Sequence, residues 1–193
     1  MLAWAVMLLG LACPLSCAAA GPGVPSWWHS LGVRDLSGAP LDPPAHWYVV
    51  IVLGQECPVS NVSIPTLNKL AAEFAPKGFA FVGAYVDPTA DLAALRAHAR
   101  DYGITFSTAD DRDHVLVKAA GASYTPQVAI FDARGAKLYL GRIDDRVGDL
   151  GVARPAAVHE DLRDALAALG AGAAGPIAGK PGYGCSIPEA VHP

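Results

Sequence analysis

The sequence predicts an α/β fold in which a mixed central sheet lies between two layers of helices. Apolar, β-branched runs alternate along the chain with amphipathic segments, the pattern of parallel strands joined by helical crossovers. Towards the C-terminus, two strand-like runs flank the turn at residues 132–135, which predicts an antiparallel hairpin. The 193 residues, 52% of them hydrophobic and 17% charged, suit one folded domain.

The strongest strand signal is the continuous apolar run from Trp47 to Leu53, which suits a strand buried on both faces. Apolar residues spaced by three and four positions then predict a helix from Pro58 to Phe74, and a second buried strand follows from Phe79 to Val86. The other predicted elements are a helix at 91–102, a strand at 104–107, a helix at 114–120, a strand at 127–131, its hairpin partner at 137–143 and a helix at 159–169. This order is the thioredoxin-like arrangement with an extra strand and helix.

Residues 1–20 are predicted to be a signal peptide. The segment from Leu2 to Leu15 is almost wholly apolar, and the small residues that follow predict cleavage after Ala20. The apolar run is shorter than the roughly 20 residues that a membrane-spanning helix needs. The sequence therefore predicts an exported protein, periplasmic or extracellular, and the alternative is an uncleaved anchor that tethers it to a membrane.

The rest of the chain divides into three segments. Residues 21–45 are predicted to be an irregular lead-in, in which Trp27 and Trp28 form a hydrophobic plug on the domain. Residues 46–169 are the predicted thioredoxin-like domain. Residues 170–193, rich in Gly, Ala and Pro, are predicted to be a flexible tail that carries Cys185.

Removal of the signal peptide leaves only Cys57 and Cys185. Cys57 lies between a buried strand and a helix, with Pro58 at the first helical position. Free N–H groups and the positive end of the helix dipole favour a thiolate there, so Cys57 is the predicted nucleophile. The alternative is a buried structural cysteine.

Cys185 is predicted to resolve an oxidised or mixed-disulfide Cys57. A static bridge between the two cysteines is an equally open interpretation, because it also stabilises a fold. In a third interpretation both sulfurs bind copper, together with a histidine such as His46 or His192.

Four further residues are candidates for the site. Thr125 and Pro126 precede a strand opposite Cys57, where this fold places a cis-proline loop that holds substrate backbone, and an ordinary trans proline is the alternative. The Ser60 hydroxyl is predicted to donate to the thiolate. Arg142 is predicted to stabilise the thiolate or a leaving oxyanion, and a solvated salt bridge is the alternative.

Several motifs resemble one known family. Residues 53–61, LGQECPVSN, resemble the active-site turn of bacterial redoxins. Residues 121–145 are similar to the GA..TP…FD..G…Y.GRIDD pattern of peroxiredoxin-like redoxins of the AhpC/TSA superfamily, and residues 184–187, GCSI, resemble the tail of the same group. The resemblance covers most of residues 46–187, and it implies a thioredoxin fold with a cis bond before Pro126.

The chain also departs from its relatives at two places. Thioredoxins carry C-x-x-C, but Ser60 stands at the second cysteine position, so no disulfide closes within the turn. True peroxiredoxins carry P-x-x-x-T/S-x-x-C, but Val50 and Gly54 stand at the proline and hydroxyl positions. The hydroxyl that would bind peroxide oxygen is therefore missing from its usual position.

These features favour an exported thiol–disulfide oxidoreductase that acts on protein thiols or disulfides and is recycled by an external thiol reductant. The alternatives are a one- or two-cysteine peroxidase, which takes a peroxide, and a non-enzymatic binding module or copper carrier with the same fold. A net charge of −4 and the absence of a basic block argue against nucleic acid as a partner. The six histidines are scattered, so no metal site and no cofactor are predicted.

Overall fold

The computed structural model describes residues 22–149 and 152–190. The elements in chain order are α1 (Ser26–Ser30), β1 (Arg34–Asp35), β2 (Trp47–Leu53), α2 (Pro58–Phe74), a 3-10 turn (Ala75–Lys77), β3 (Phe79–Tyr85), α3 (Leu92–Asp101), β4 (Ser107–Asp110), α4 (Val115–Ala120), β5 (Tyr124–Thr125), β6 (Gln127–Asp132), β7 (Lys137–Gly141), β8 (Val147–Asp149), β9 (Val152–Ala153), α5 (Asp161–Gly170) and β10 (Cys185–Ser186).

Six strands form the central sheet in the order β1-β4-β3-β2-β6-β7. Strand β3 is parallel to both β2 and β4, because helices α2 and α3 connect these three strands as crossovers. Strand β6 is antiparallel to β2, and β7 returns from it as a hairpin. The mixed sheet and the closing hairpin confirm the fold class predicted from the sequence.

Strand β2 lies in the middle of the sheet and is buried on both faces. Val49 and Ile51 face a core that receives the apolar residues of α2, α3 and α5. Tyr48 and Val50 face a second core, closed by Trp28 of α1 and by helix α4. Because side chains alternate along a strand, the one continuous apolar run fills both cores and creates the three layers.

The segment predicted to be an irregular lead-in contains regular structure, and that prediction is corrected here. Helix α1 buries Trp28 completely, and its ring stacks on Tyr48 with centroids 4.5 Å apart. Strand β1 extends the sheet by pairing with β4. Two residues are too few to show an alternating pattern, so the sequence gives no signal for this edge strand.

The strand predicted at 104–107 lies a few residues later, as β4. The amide of Ile104 donates to the carbonyl of Ala99 and so belongs to the end of helix α3. Its apolar side chain packs on the core from a loop, and so does that of Phe106. Apolar character alone therefore placed the strand too early.

The tail also departs from the coil that was predicted. Strand β10 pairs antiparallel with β5, with Cys185 opposite Thr125. Upstream of β10, the amide of Ile177 donates to the carbonyl of Leu138, and the amide of Arg142 donates to the carbonyl of Lys180. A Gly-rich segment with no core-forming pattern is thus held in place by backbone hydrogen bonds. A hydropathy pattern does not reveal such bonds.

The predicted signal peptide at 1–20 lies outside the described residues. Among the helices of the described ranges, none combines the length and the apolar character that crossing a bilayer requires.

Candidate active site

Cys57 occupies the junction between the central strand β2 and helix α2, the longest helix of the described residues. Strand β2 ends at Leu53, the amide of Cys57 donates back to the carbonyl of Gly54 at 3.2 Å, and Cys57 is the N-cap residue of α2. Its backbone is extended (φ −79°, ψ 111°), and its carbonyl accepts the first helical hydrogen bond, from Asn61. Pro58 follows as the first helical residue, where a proline costs no hydrogen bond. The side chain therefore lies beside the unpaired N–H groups of the first helical turn.

The sulfur of Cys57 is buried against Thr125. Its Sγ is 3.3 Å from the Thr125 carbonyl oxygen, to which the thiol donates. The Thr125 hydroxyl is also buried, and its oxygen has no hydrogen-bond partner among the described residues. When the thiol loses its proton, the carbonyl no longer receives a hydrogen, and this hydroxyl is then available to donate to the thiolate.

Ser60 supplies a second hydroxyl to the same sulfur. The Gly54 amide donates to the Ser60 Oγ at 3.3 Å, so the hydroxyl hydrogen of Ser60 is free to point at Cys57. Burial raises the pKa of Cys57, but hydrogen bonds from Cys185, Thr125 and Ser60 outweigh it, and the pKa lies below that of an ordinary thiol. The fraction of thiolate at neutral pH is correspondingly larger.

The tail brings Cys185 to the same place. Because β10 pairs with β5, Cys185 stands opposite Thr125, whose carbonyl touches the Cys57 thiol. Burial, the hydrogen bond that its thiol gives to Cys57 and the charge of Cys57 together raise the pKa of Cys185 to about 11. Both cysteines are free thiols. They line one pocket of about 220 Å³, together with Gly54 and Thr125.

Replacing Cys185 by alanine is expected to raise the pKa of Cys57, because the thiolate loses a hydrogen-bond donor. A hydrogen bond to the thiolate favours the charged form, so its loss is expected to move the alkylation midpoint of Cys57 to higher pH. The pH dependence of alkylation by iodoacetamide, followed on the Cys57 peptide by mass spectrometry, measures the shift.

Cys185→Ser is the matched control, since its hydroxyl keeps a donor at the same position. Its alkylation midpoint is expected to stay close to that of the unaltered protein, while the midpoint of the alanine variant moves to higher pH. An alanine variant with an unchanged midpoint would show that Cys185 does not act on the Cys57 sulfur.

Pro126 follows Thr125 through a cis peptide bond, as the family resemblance implies. Arg142, in contrast, lies away from the sulfur. Its Nε donates to Asp161 at 2.7 Å, and the Nζ of Lys180 is 3.1 Å from the other oxygen of that carboxylate. No described contact joins Arg142 to Cys57, so the geometry fits the salt-bridge alternative, although this ion pair is largely buried rather than solvated.

The histidine considered as a copper ligand is also remote. His46 precedes β2 and packs on Gly78, whereas Cys57 follows the opposite end of that strand. His192 lies outside the described residues. In the described ranges, no three side chains of histidine, cysteine, aspartate or glutamate are grouped to hold a metal ion.

A hydrogen-bonded chain behind the site was not predicted. The side-chain Nδ2 of Asn61 donates to the carbonyl of Gln55 at 3.1 Å, and its Oδ1 accepts from His98 Nε2 at 2.9 Å. The Tyr85 hydroxyl then donates to His98 Nδ1 at 2.7 Å, and burial lowers the pKa of His98, which favours this neutral form. These hydrogen bonds hold the turn before Cys57 in place. Asn61 and His98 are 37 positions apart, so no local spacing reveals their contact.

Comparisons with known proteins agree with this architecture. The AhpC/TSA family matches residues 36–136, just over half of the chain. The match includes Cys57 and the Thr125–Pro126 pair and ends before the tail that carries Cys185. No curated protein matches the chain.

Many solved structures share the fold, among them the following three. A hypothetical protein from Sinorhizobium meliloti 1021 is 26% identical with a TM-score of 0.67, and the match covers 80% of this chain and 88% of that one. An uncharacterized conserved protein from Geobacillus kaustophilus is 26% identical with a TM-score of 0.68, covering 86% and 90%. A secreted Mycobacterium tuberculosis disulfide oxidoreductase, described as homologous to E. coli DsbE, is 25% identical with a TM-score of 0.52, covering 72% and 98%. On the family match and this shared fold, the chain belongs to the AhpC/TSA family.

Proposed function

We propose that the protein is a thiol–disulfide oxidoreductase in which Cys57 is the nucleophile and Cys185 the resolving cysteine. The observation that carries the proposal is the pairing of β10 with β5, which places Cys185 opposite Thr125 and in the same pocket as the Cys57 sulfur. The lowered pKa of Cys57 and the raised pKa of Cys185 also support it, because the two roles require one ready thiolate and one protonated thiol. The secreted disulfide oxidoreductase of similar fold is further support.

The reaction reduces a protein disulfide in two steps. The Cys57 thiolate attacks one sulfur of the substrate disulfide, forms a mixed disulfide and releases the other substrate sulfur as a thiolate, which takes up a proton. The Cys185 thiol then loses its proton and attacks the Cys57 sulfur. The second substrate thiolate leaves and is protonated, and the Cys57–Cys185 disulfide remains. The substrate has gained two electrons and the protein has lost two, which an external thiol reductant restores.

The first step itself prepares Cys185 for the second. The Cys185 pKa is raised by burial and, in addition, by the hydrogen bond and the charge of Cys57. Formation of the mixed disulfide removes the negative charge from Cys57, and with it the contribution of that charge to the Cys185 pKa. The Cys185 pKa therefore falls after the substrate is attached, and its thiol becomes the attacking group in the correct order.

Oxidation of the purified protein tests the assignment. After treatment with oxidised glutathione, we expect the intact mass to fall by two hydrogens and a proteolytic fragment to join Cys57 to Cys185. The Cys185→Ser variant is expected to stop at the mixed disulfide with glutathione on Cys57. Free Cys57 in the oxidised protein, or glutathione retained on it in the unaltered chain, contradicts the resolving role.

A second candidate function, peroxide reduction, has one observation in its favour. A side chain built on Gly54 would place its Cβ 3.0 Å from the Thr125 Oγ1 and 3.0 Å from the Cys57 Cβ. The unpartnered Thr125 hydroxyl thus lies next to the position where peroxiredoxins carry theirs. Stopped-flow reaction with hydrogen peroxide separates the two functions, because a Cys57 no faster than a free thiol excludes the peroxidase.

We also propose that the protein is exported. The predicted signal peptide at 1–20 supports this, and so does the secreted relative of similar fold. N-terminal sequencing of the mature protein is expected to begin at Gly21. A chain that retains Met1 and sediments with membranes would instead support the anchor.

A further inference from the structure

The tail reaches Cys57 along a path that is held at several points. The backbone bonds to Leu138 and Arg142 fix residues 177–180 beside β7, and the Lys180 ammonium pairs with Asp161. Beyond this anchor, β10 pairs with β5 as an added strand, and Ile187 packs on a small apolar cluster that contains Val86. The last segment of the chain therefore lies across the site as an extended peptide.

Among the described residues, strand β5 has a single pairing partner, which is β10 of the tail. Within the described chain, β5 and β10 form a two-stranded sheet of their own. An edge strand with free backbone groups binds an extended peptide by strand addition, and the register places particular residues in particular positions. Here the register places a cysteine opposite Thr125, directly at the Cys57 sulfur.

The residue before this cysteine has no room for a side chain. A Cβ on Gly184 would lie 2.0 Å from the Thr125 carbonyl oxygen, and one on Gly182 would lie 2.6 Å from the Arg142 Cβ. A Cβ at 2.0 Å from a backbone oxygen cannot be accommodated unless the backbone moves. Any chain that follows this path with its cysteine opposite Thr125 must therefore carry a glycine directly before the cysteine.

We propose that the β5 edge is a binding site for an extended Gly-Cys segment of a substrate polypeptide, and that the tail is its resident competitor. The proposal rests on the oxidoreductase function proposed above. The substrate and the tail use the same edge in turn. A substrate chain displaces the tail and exchanges with Cys57, and the returning tail expels it while delivering Cys185 to the mixed disulfide.

The test uses the full chain with Cys185→Ser, so that the tail remains but cannot resolve. Cys57 is first converted with Ellman's reagent to its thionitrobenzoate mixed disulfide, and a peptide thiol then attacks it and releases the coloured anion. The probes are the synthetic peptides YGCSI and YACSI. We expect the glycine peptide to react at least about tenfold faster, the equivalent of about 1.4 kcal/mol.

A second substitution tests the competition. Adding Gly184→Ala to Cys185→Ser displaces the tail, so the YGCSI rate is expected to rise by about tenfold, the equivalent of about 1.4 kcal/mol. The rate with 2-mercaptoethanol, which has no backbone to pair, is expected to change much less. Gly148→Ala is the matched control, because a Cβ there meets no atom within 4 Å and its backbone needs no positive φ.

The outcomes separate the two proposals. Equal rates for YGCSI and YACSI overturn the binding-site inference but leave Cys57 as an exchanging thiol. A YGCSI rate unchanged by Gly184→Ala overturns the competition by the tail. A Cys57 that does not react with Ellman's reagent in either variant overturns the oxidoreductase function, and the inference falls with it. The peptide comparison in Cys185→Ser alone does not depend on how well the double variant folds.

Discussion

Cys57→Ser is expected to abolish disulfide exchange, with a loss of at least about a thousandfold in the rate of insulin reduction, because the attacking group is removed. A serine hydroxyl is not ionised at neutral pH, whereas the Cys57 thiol is held partly as a thiolate by its hydrogen-bond donors. The substitution is expected to preserve the fold, since a hydroxyl donates to the Thr125 carbonyl as the thiol does. Circular dichroism and the urea midpoint check that it does so.

Cys185→Ser is the control that separates the two sulfurs. It is expected to retain the first step, seen as a single turnover that ends in a trapped mixed disulfide on Cys57, while multiple turnover is lost. The opposite pattern, in which Cys57→Ser turns over and Cys185→Ser forms no adduct, would assign the nucleophile to the tail. The two variants together therefore decide which sulfur attacks.

Trp28→Ala is expected to lower the free energy of unfolding by about 3–5 kcal/mol, as measured by urea denaturation. The side chain is completely buried, stacks on Tyr48 and makes an edge contact with Trp27 at 5.6 Å. Its Nε1 also donates to the Leu41 carbonyl at 2.8 Å, so the substitution leaves both a cavity and a partly buried carbonyl without its donor.

Val62→Ala is the matched control, because Val62 lies on the outer side of α2 and is 53% exposed. We expect it to change the unfolding free energy by less than about 0.5 kcal/mol. If Trp28→Ala costs no more than this control, the lead-in does not belong to the cooperative unit. A large effect instead places the domain boundary well before residue 46.

The central elements could be predicted because their signals are long and local. The run from Trp47 to Leu53 is apolar throughout, and Pro58 marks the start of the helix that follows it. The position of Cys57 follows from these two elements alone. The two-residue strands β1 and β10 could not be predicted, because their pairing depends on backbone groups that every residue carries.

The details of the site depend on contacts between distant positions. The sequence predicts Ser60, Thr125 and Arg142 at the site. Ser60 and Thr125 lie at the Cys57 sulfur, whereas Arg142 pairs with Asp161. An arginine near the end of a strand can extend its side chain in several directions. The position of its acidic partner in the folded protein decides which direction the side chain adopts. Gly184 belongs to the GCSI motif, but the sequence does not show that a side chain at this position would clash with the Thr125 carbonyl.

The path of the tail along β7 has a consequence for solubility. Strand β7 is the last strand of the central sheet, and an uncovered outer strand is a template for lateral association with other molecules. The tail of the same chain already makes backbone hydrogen bonds to Leu138 and Arg142, so these groups are not available to another molecule. At the other border, β1 is only two residues long. One edge of the central sheet is thus partly covered by the tail, and the strand at the other edge is short. Both features oppose edge-to-edge association of several copies into fibres.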